Sequence, residues 1–213
     1  MKYYGYFRSS AAFRLRIAFN LKGLSPEMIP IHLTRNGGEQ KTDTFRKINP
    51  QAMVPALETD GTILTQSMAI LEWLEETHPQ PPILPSDPIG RAKVRAFAQV
   101  IACDIHPLQN LRVLSYLRQD LKLDEDGVLA WIHRWLTDGL MACGQLLADQ
   151  PETRFCFGDT PGLADICLAP QLFSAARFKV DLSDMPRLRA IQTQMDNHPA
   201  FTAAQPGAQP DAE

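Results

Sequence analysis

The chain has 213 residues, 45% of them hydrophobic and 21% charged, with a net charge of −3 and a pI near 6.0. That length supports one large or two small cores, and the balance is that of a soluble globular protein. It argues against a nucleic-acid binder, which carries a basic patch, while the chain lacks both an apolar run long enough for a membrane span and, in MKYYGYFRSS, the apolar centre of a secretory signal.

Residues 1–78 alternate short strand-like and helical patterns. Lys2 to Phe7 is aromatic-rich and reads as a strand. Ser10 to Lys22 reads as a helix stopped by Gly23. Glu27 to Leu33 predicts a second strand, and Thr42 to Ile48 a short helix halted by Asn49-Pro50. Two strand runs, 54–58 and 62–64, flank Asp60-Gly61, a hairpin signal. Ile70, Trp73, Leu74 and Thr77 recur at helical spacing within Ser67 to Thr77. The order is β-α-β-α-β-β-α, an α/β domain. Five prolines lie in the eleven residues His78 to Pro88, so 79–88 reads as a linker of extended backbone. Beyond it helices are expected over about 89–119, 124–148, 163–178 and 185–197, an all-α domain spanning 89–202. The tail 203–213, rich in Ala, Gln, Pro and Gly, is expected to be disordered.

Phe7-Arg8-Ser9-Ser10 ends the first strand and opens the first helix. A helix start presents unpaired N–H groups and partial positive charge, which suit an anion such as a thiolate. Two hydroxyls there can donate to it, and Arg8 adds a full charge. The first Cys in the chain is Cys103, so a thiol used at this place arrives on a ligand. Plain helix capping explains the same serines. Val54-Pro55 precedes a strand, either as an ordinary trans proline or as a cis turn that points the Val54 N–H and C=O outward to pair with an extended peptide. Gln66-Ser67 opens the third helix and suits a carboxylate, or Ser67 simply caps it. Together these segments would cluster at one end of a small sheet, able to hold a tripeptide with a thiol and a carboxylate.

Other groups read as structural. The four cysteines (Cys103, Cys143, Cys156, Cys167) form neither a disulfide framework nor a metal site, and are expected to be reduced, mostly buried thiols of a cytoplasmic protein. Arg14 and Arg16 are expected to form ion pairs, and Trp131 and Trp135 to lie in the core. His106 reads as a pocket-wall or interface residue on a helix kinked by Pro107.

The chain resembles the cytosolic glutathione transferases, and within them the zeta class, over roughly residues 1–200. The sharpest marker is Arg8-Ser9-Ser10-Ala11-Ala12-Phe13-Arg14-Leu15-Arg16-Ile17-Ala18, where the family pattern is Ser-Ser-Cys-Ser-Trp-Arg-Val-Arg-Ile-Ala. Asn49 to Leu57, Gln66-Ser67, Cys103 to Leu114 and Arg177 to Leu182 also match. The resemblance implies a thioredoxin-like N-terminal domain, an all-helical C-terminal domain and a homodimer. It also implies glutathione-dependent cis–trans isomerisation of a small dicarboxylate, maleylacetoacetate or maleylpyruvate, in aromatic-compound or tyrosine breakdown. It carries over Ser9 and Ser10, with Arg8, as thiolate partners. Val54, Gln66, Ser67, Gln40, Asp104 and Asn110 become contacts to glutathione, and Arg8, Arg177 and Arg112 hold substrate carboxylates. Two departures stand out: Ala11 replaces the class Cys, and Met53 replaces a polar residue before Val-Pro. A third lies at Gly162, where Thr or Ser usually caps; Asp165 can still accept from the Gly162 N–H, so the loss is about a few tenths of a kcal/mol.

The chemistry sets a requirement. A thiol of pKa ~8.5 is about 3% ionised at pH 7. Lowering it to ~6.5 gives roughly 75% thiolate for about 2.7 kcal/mol of differential stabilisation. A helix N-terminus supplies up to ~2 kcal/mol in partly buried geometry, and hydroxyls and Arg8 must supply the rest. The same groups would serve conjugation or dehalogenation of α-halo acids. A non-catalytic interaction module is the other alternative, and it has no need of all three ligand segments.

Overall fold

The computed structural model describes residues 1–213. The chain divides into two compact units, Met1–Ile83 with Asn197–Glu213, and Leu84–Asp196. Unlike the sequence reading, which ends the helical domain at residue 202, the division returns the last seventeen residues to the N-terminal unit.

In the first unit the elements are β1 (Lys2–Gly5), α1 (Ser10–Leu21), β2 (Glu27–Pro30), α2 (Asp43–Ile48), β3 (Ala56–Thr59), β4 (Thr62–Thr65) and α3 (Ser67–Thr77). The strands form one mixed sheet in the order β2-β1-β3-β4, with β1 parallel to β2 and antiparallel to β3. This sheet fits the thioredoxin-like domain that the family resemblance implies. Asp60 and Gly61 take φ values of 47° and 75°, the pair of positive angles that a two-residue type I′ hairpin requires. Alternation along β1 sends side chains to opposite faces. Tyr3 meets Phe19 of α1 edge-on at 5.4 Å and donates to the Ala12 carbonyl, whereas Tyr4 meets Phe45 of α2.

Every residue from Ala11 to Phe19 in α1 is buried, which matches an apolar sequence on all sides. The two arginines inside it therefore need internal partners, and those of Arg16 are main-chain carbonyls rather than the ion pair expected from sequence. Arg14 donates to the Ser67 hydroxyl at 3.2 Å. Arg16 donates to the main-chain carbonyls of Ala204, Tyr6 and Phe7. At the far end of α1, Lys22 Nζ donates to Glu75 Oε2 at 2.9 Å and to the carbonyls of His78 and Pro81. Glu75 accepts the Ile83 N–H. The proline-rich segment is thus fastened to α1 and α3 rather than loose.

The second unit holds α4 (Pro88–Gln99), α5 (Leu111–Gln119), α6 (Glu125–Ala148), α7 (Leu163–Arg177) and α8 (Pro186–Asp196). The single helix expected over 89–119 is broken. After α4 comes a π-helical segment, Val100–Ile105, then a 3-10 turn, His106–Gln109. Pro107 lacks the N–H an α-helix needs, and widened turns of this kind recur at functional sites. Ile105 packs where α6 has Gly139: a Cβ there would lie 2.3 Å from Ile105 Cγ1, so only glycine permits the approach. Buried Val128, Ile132, Leu136, Leu140, Cys143 and Leu147 form one stripe of α6. Asp165 Oδ2 accepts the Gly162 N–H at 2.9 Å and Oδ1 the Cys156 N–H, so half of a capping box survives without the hydroxyl.

Two further readings need correction. Trp131 and Trp135, expected in the core, are half-buried, and the Trp131 indole N–H donates to the Leu108 carbonyl at 2.7 Å. An indole with a polar handle belongs at the margin of a core. The tail, expected to be disordered for want of anything to bury, is ordered in the structure. After α9 (Pro199–Thr202), Ala204 and Pro206 are buried, Pro206–Ala208 forms a 3-10 turn, and Asp211 and Glu213 bond to the first unit. Composition misses this because small residues, one main-chain carbonyl and two carboxylates make the contacts.

Candidate active site

Strand register gathers the segments singled out in the sequence. Gly5 pairs with Pro30, Tyr4 with Ala56, and Ala56 with Thr65. The ends of β1, β2 and β4 and the start of β3 therefore share one edge of the sheet. From that edge emerge Arg8-Ser9-Ser10, the loop carrying Gln40, Val54 and Gln66-Ser67.

Ser9 is the N-cap of α1, with extended φ/ψ of −72° and 119°, and its Oγ accepts the Ala12 N–H at 3.2 Å. That bond uses a lone pair and leaves the hydroxyl proton free to point away from the helix. Ser10 is half-buried at the first helical position, where main-chain N–H groups have no intrahelical partner. The exposed Arg8 is tethered: Nη2 donates to the Tyr6 hydroxyl at 2.9 Å, and the guanidinium lies 5.0 Å from the Phe7 ring centre. Its charge therefore sits beside the helix start.

Ser67 is not a cap. Gln66 holds the N-cap position of α3 with φ +67° and makes no side-chain cap bond, while buried Ser67 is the first helical residue and accepts from Arg14. A glutamine with positive φ stores backbone strain of the kind found at ligand clamps. The exposed Gln66 amide donates to Gln51 Oε1 at 2.7 Å. Val54 lies outside the β3 ladder, which begins at Ala56, and the Val54-Pro55 bond is cis. Asn49 shapes this loop, donating to the Met53 carbonyl at 2.7 Å and accepting the Gln51 N–H. Gln40 is buried rather than offered at the surface. Its Nε2 donates to the Leu33 carbonyl, and its Oε1 has no hydrogen-bond partner.

In the second unit, exposed Asp104 lies on the π-helical segment. Asn110 caps α5, its Oδ1 accepting the Val113 N–H, so only its amide protons remain for a ligand. Arg112 is exposed in the first turn of α5, and Arg177 is exposed at the last position of α7 with its guanidinium 5.2 Å from the Phe178 ring. Ser174 donates to Gln109 Oε1 at 3.0 Å, which ties the end of α7 to the start of α5 and hence the two arginines' supports to each other. Sequence reasoning missed Asn49, Arg14 and Gln109 as organisers, since each acts on a partner from another segment.

All four of the chain's cysteines lie in the second unit, outside the one that carries the sheet. Burial pushes the Cys143 thiol up to about 12 and Cys156 well above its ordinary value. Such thiols are inert at neutral pH. Burial likewise raises Tyr3 to about 12, so its phenol stays neutral. The donor set at the edge, namely hydroxyls at a helix start, a strand-like main chain outside the ladder and a serine–glutamine pair, fits a thiol-bearing peptide.

Comparisons with known proteins agree. Residues 8–77 match the family described as Glutathione S-transferase, N-terminal domain, and residues 126–200 the corresponding C-terminal domain. Maleylacetoacetate isomerase of Pseudomonas aeruginosa is 49% identical over 212 residues, covering 99% of this chain and 98% of its own. A solved holo structure of maleyl pyruvate isomerase, a bacterial glutathione S-transferase of the zeta class, superposes with a TM-score of 0.97 at 47% identity over the whole of both chains. The chain belongs to the zeta class of glutathione transferases. A maleylacetoacetate isomerase from Methylobacterium extorquens AM1, solved with malonate and glutathione bound, matches with a TM-score of 0.94 at 40% identity over the full length of both chains. Within this class the present chain carries buried Ala11 where the pattern has Cys. The sheet edge therefore offers hydroxyls and N–H groups but no protein thiol in the first turn of α1.

Proposed function

We propose that this zeta-class transferase is a glutathione-dependent cis–trans isomerase of maleylacetoacetate or maleylpyruvate. The carrying observation is the register that brings Ser9-Ser10, Val54 and Gln66-Ser67 to one sheet edge, in a chain that matches relatives bearing those names from end to end. Glutathione, when bound, supplies a thiolate whose reversible addition to an enone lets a cis double bond rotate before the thiolate is released unchanged. The chain's residues make that possible. Ser9 and Ser10 donate hydrogen bonds to the sulfur, the start of α1 adds its partial positive charge, and Arg8 adds a full one. Val54 pairs through its main chain with the cysteinyl unit, and Gln66 and Ser67 hold the γ-glutamyl end. Ser67 can do so because Arg14 fixes its hydroxyl. Gln40, Asp104 and Asn110 are the remaining proposed contacts; Gln40, being buried, supports its loop more than it touches ligand. Arg8, Arg177 and Arg112 suit a dianionic substrate, because a guanidinium grips a carboxylate bidentately and stays charged at any working pH.

By this reading the protein serves the breakdown of tyrosine or other aromatic compounds. Its assembly as a homodimer and its place in the cytoplasm rest on the resemblance to its class.

The test is an absorbance assay of both cis substrates with and without glutathione. Conversion of at least one should depend on glutathione without consuming it. In the same assay Arg177→Ala should raise the substrate KM by about tenfold or more, as expected for a lost charge-assisted grip, and leave the glutathione KM near its original value. Equal conversion without glutathione would remove the assignment, and equal rises in both KM values would remove Arg177 from substrate binding.

A further inference from the structure

The turn that delivers Ser9 is held from the opposite end of the chain. Tyr6 to Ser9 closes through a hydrogen bond from the Ser9 N–H to the Tyr6 carbonyl at 3.0 Å. The main-chain groups inside it bond outward. The Phe7 N–H donates to Asp211 Oδ2 at 2.9 Å. The Phe7 carbonyl accepts from Arg16 Nη2 at 3.0 Å, and the Tyr6 carbonyl accepts from Nη1 at 3.4 Å. Arg16 is in turn fixed by the Ala204 carbonyl, which accepts from Nε at 2.9 Å. The tail thus grips the turn directly at Asp211 and indirectly through Arg16; burial pushes the Arg16 guanidinium below its ordinary value, and the Asp211 carboxylate opposes part of that fall. Beyond it Glu213 bonds to His32 Nε2 at 3.1 Å and to Arg35. His32 Nδ1 accepts the Arg35 N–H at 2.7 Å, so Nε2 carries the proton and donates to Glu213.

We propose that Asp211 is a positioning residue for the glutathione site: by holding the Phe7 N–H, it keeps the Tyr6–Ser9 turn in the shape that aims the Ser9 hydroxyl at the ligand's sulfur. This rests on the glutathione reading above. A four-residue turn has little internal bonding of its own, so its geometry depends on outside anchors. A carboxylate accepting a main-chain N–H is among the stronger ones. Without it the Phe7 N–H loses its partner, and the peptide joining Tyr6 to Phe7 is held only through its carbonyl, by Ser9 and Arg16. Ser9 would then sample orientations that waste its proton, at a cost in ligand affinity rather than in folding.

The test compares Asp211→Ala, Asp211→Asn and Glu213→Ala in the full chain. It measures glutathione dissociation constants by calorimetry and exchange of the Phe7 amide proton by NMR without ligand. Asp211→Ala should weaken glutathione about fivefold or more and speed Phe7 exchange. Asp211→Asn keeps an acceptor oxygen and should stay within about twofold of the parent. Glu213→Ala, which acts on His32 and Arg35, should leave Phe7 protected. Unchanged affinity in Asp211→Ala, or an Asn variant as weak as the Ala variant, would overturn the proposal. Failure of the parent protein to bind glutathione would remove the functional reading instead. Phe7 exchange would then still report whether Asp211 holds the turn.

Discussion

Replacing Ser9 by alanine is expected to lower kcat/KM for isomerisation by about ten- to a hundredfold and to destabilise the fold by about 1 kcal/mol. The two effects have separate origins in one atom. Oγ accepts the Ala12 N–H as the cap of α1, and that bond is worth a typical capping energy. The hydroxyl proton is the part left for the sulfur, and accepting an N–H strengthens the hydroxyl as a donor. Ser9→Thr keeps both functions and should recover most of each loss. Ser10→Ala should leave stability within a few tenths of a kcal/mol, since Ser10 is not the cap and alanine is the better helix former. Steady-state kinetics with denaturant titration separates the cases. A Ser9→Ala protein that is less stable yet fully active would show the residue to be a cap and nothing more.

The largest expected effect on stability is at Lys22. Its ammonium is fully buried, bonded to Glu75 at 2.9 Å and to the His78 and Pro81 carbonyls. Lys22→Ala leaves the Glu75 carboxylate and two carbonyls without their cation. Breaking a buried pair from one side costs about 3–5 kcal/mol, a large part of a typical domain's stability. Glu75→Gln should cost less, because an amide oxygen can still accept the Ile83 N–H. Urea denaturation should show the midpoint falling further for Lys22→Ala than for Glu75→Gln. Equal midpoints for Lys22→Ala and the parent would mean that the pair contributes nothing net, as some buried pairs do.

What the sequence reveals and conceals follows the range of the interactions. The Asp60-Gly61 hairpin, the stop of α1 before Gly23 and the span Ser67–Thr77 of α3 depend on neighbours in the chain, and all are legible. The ligand segments were also legible as segments, because a helix start after a strand advertises its anion preference locally. Their mutual support was not. Arg14 reaches Ser67 across 53 residues and Phe7 reaches Asp211 across 204, distances at which no periodicity carries information. Arg14 and Arg16 were expected in ion pairs because charged residues in an apolar helix need partners. For Arg16 main-chain carbonyls meet that need, and Arg14 donates to the Ser67 hydroxyl. The same blindness explains the tail: four alanines, a glycine and two prolines in its eleven residues give no apolar pattern, yet the Ala204 carbonyl and the carboxylates of Asp211 and Glu213 fasten it. The π-helical break before His106 was foreshadowed only by Pro107.

The central claim is that the start of α1, with its serines and Arg8, keeps a ligand's sulfur ionised. Its most direct test is a titration of the thiolate's ultraviolet absorbance for glutathione bound to the unaltered protein. A midpoint near ~6.5, about two units below the ordinary thiol value, is the expected result. A midpoint that stays at ~8.5 on a saturated protein would contradict it.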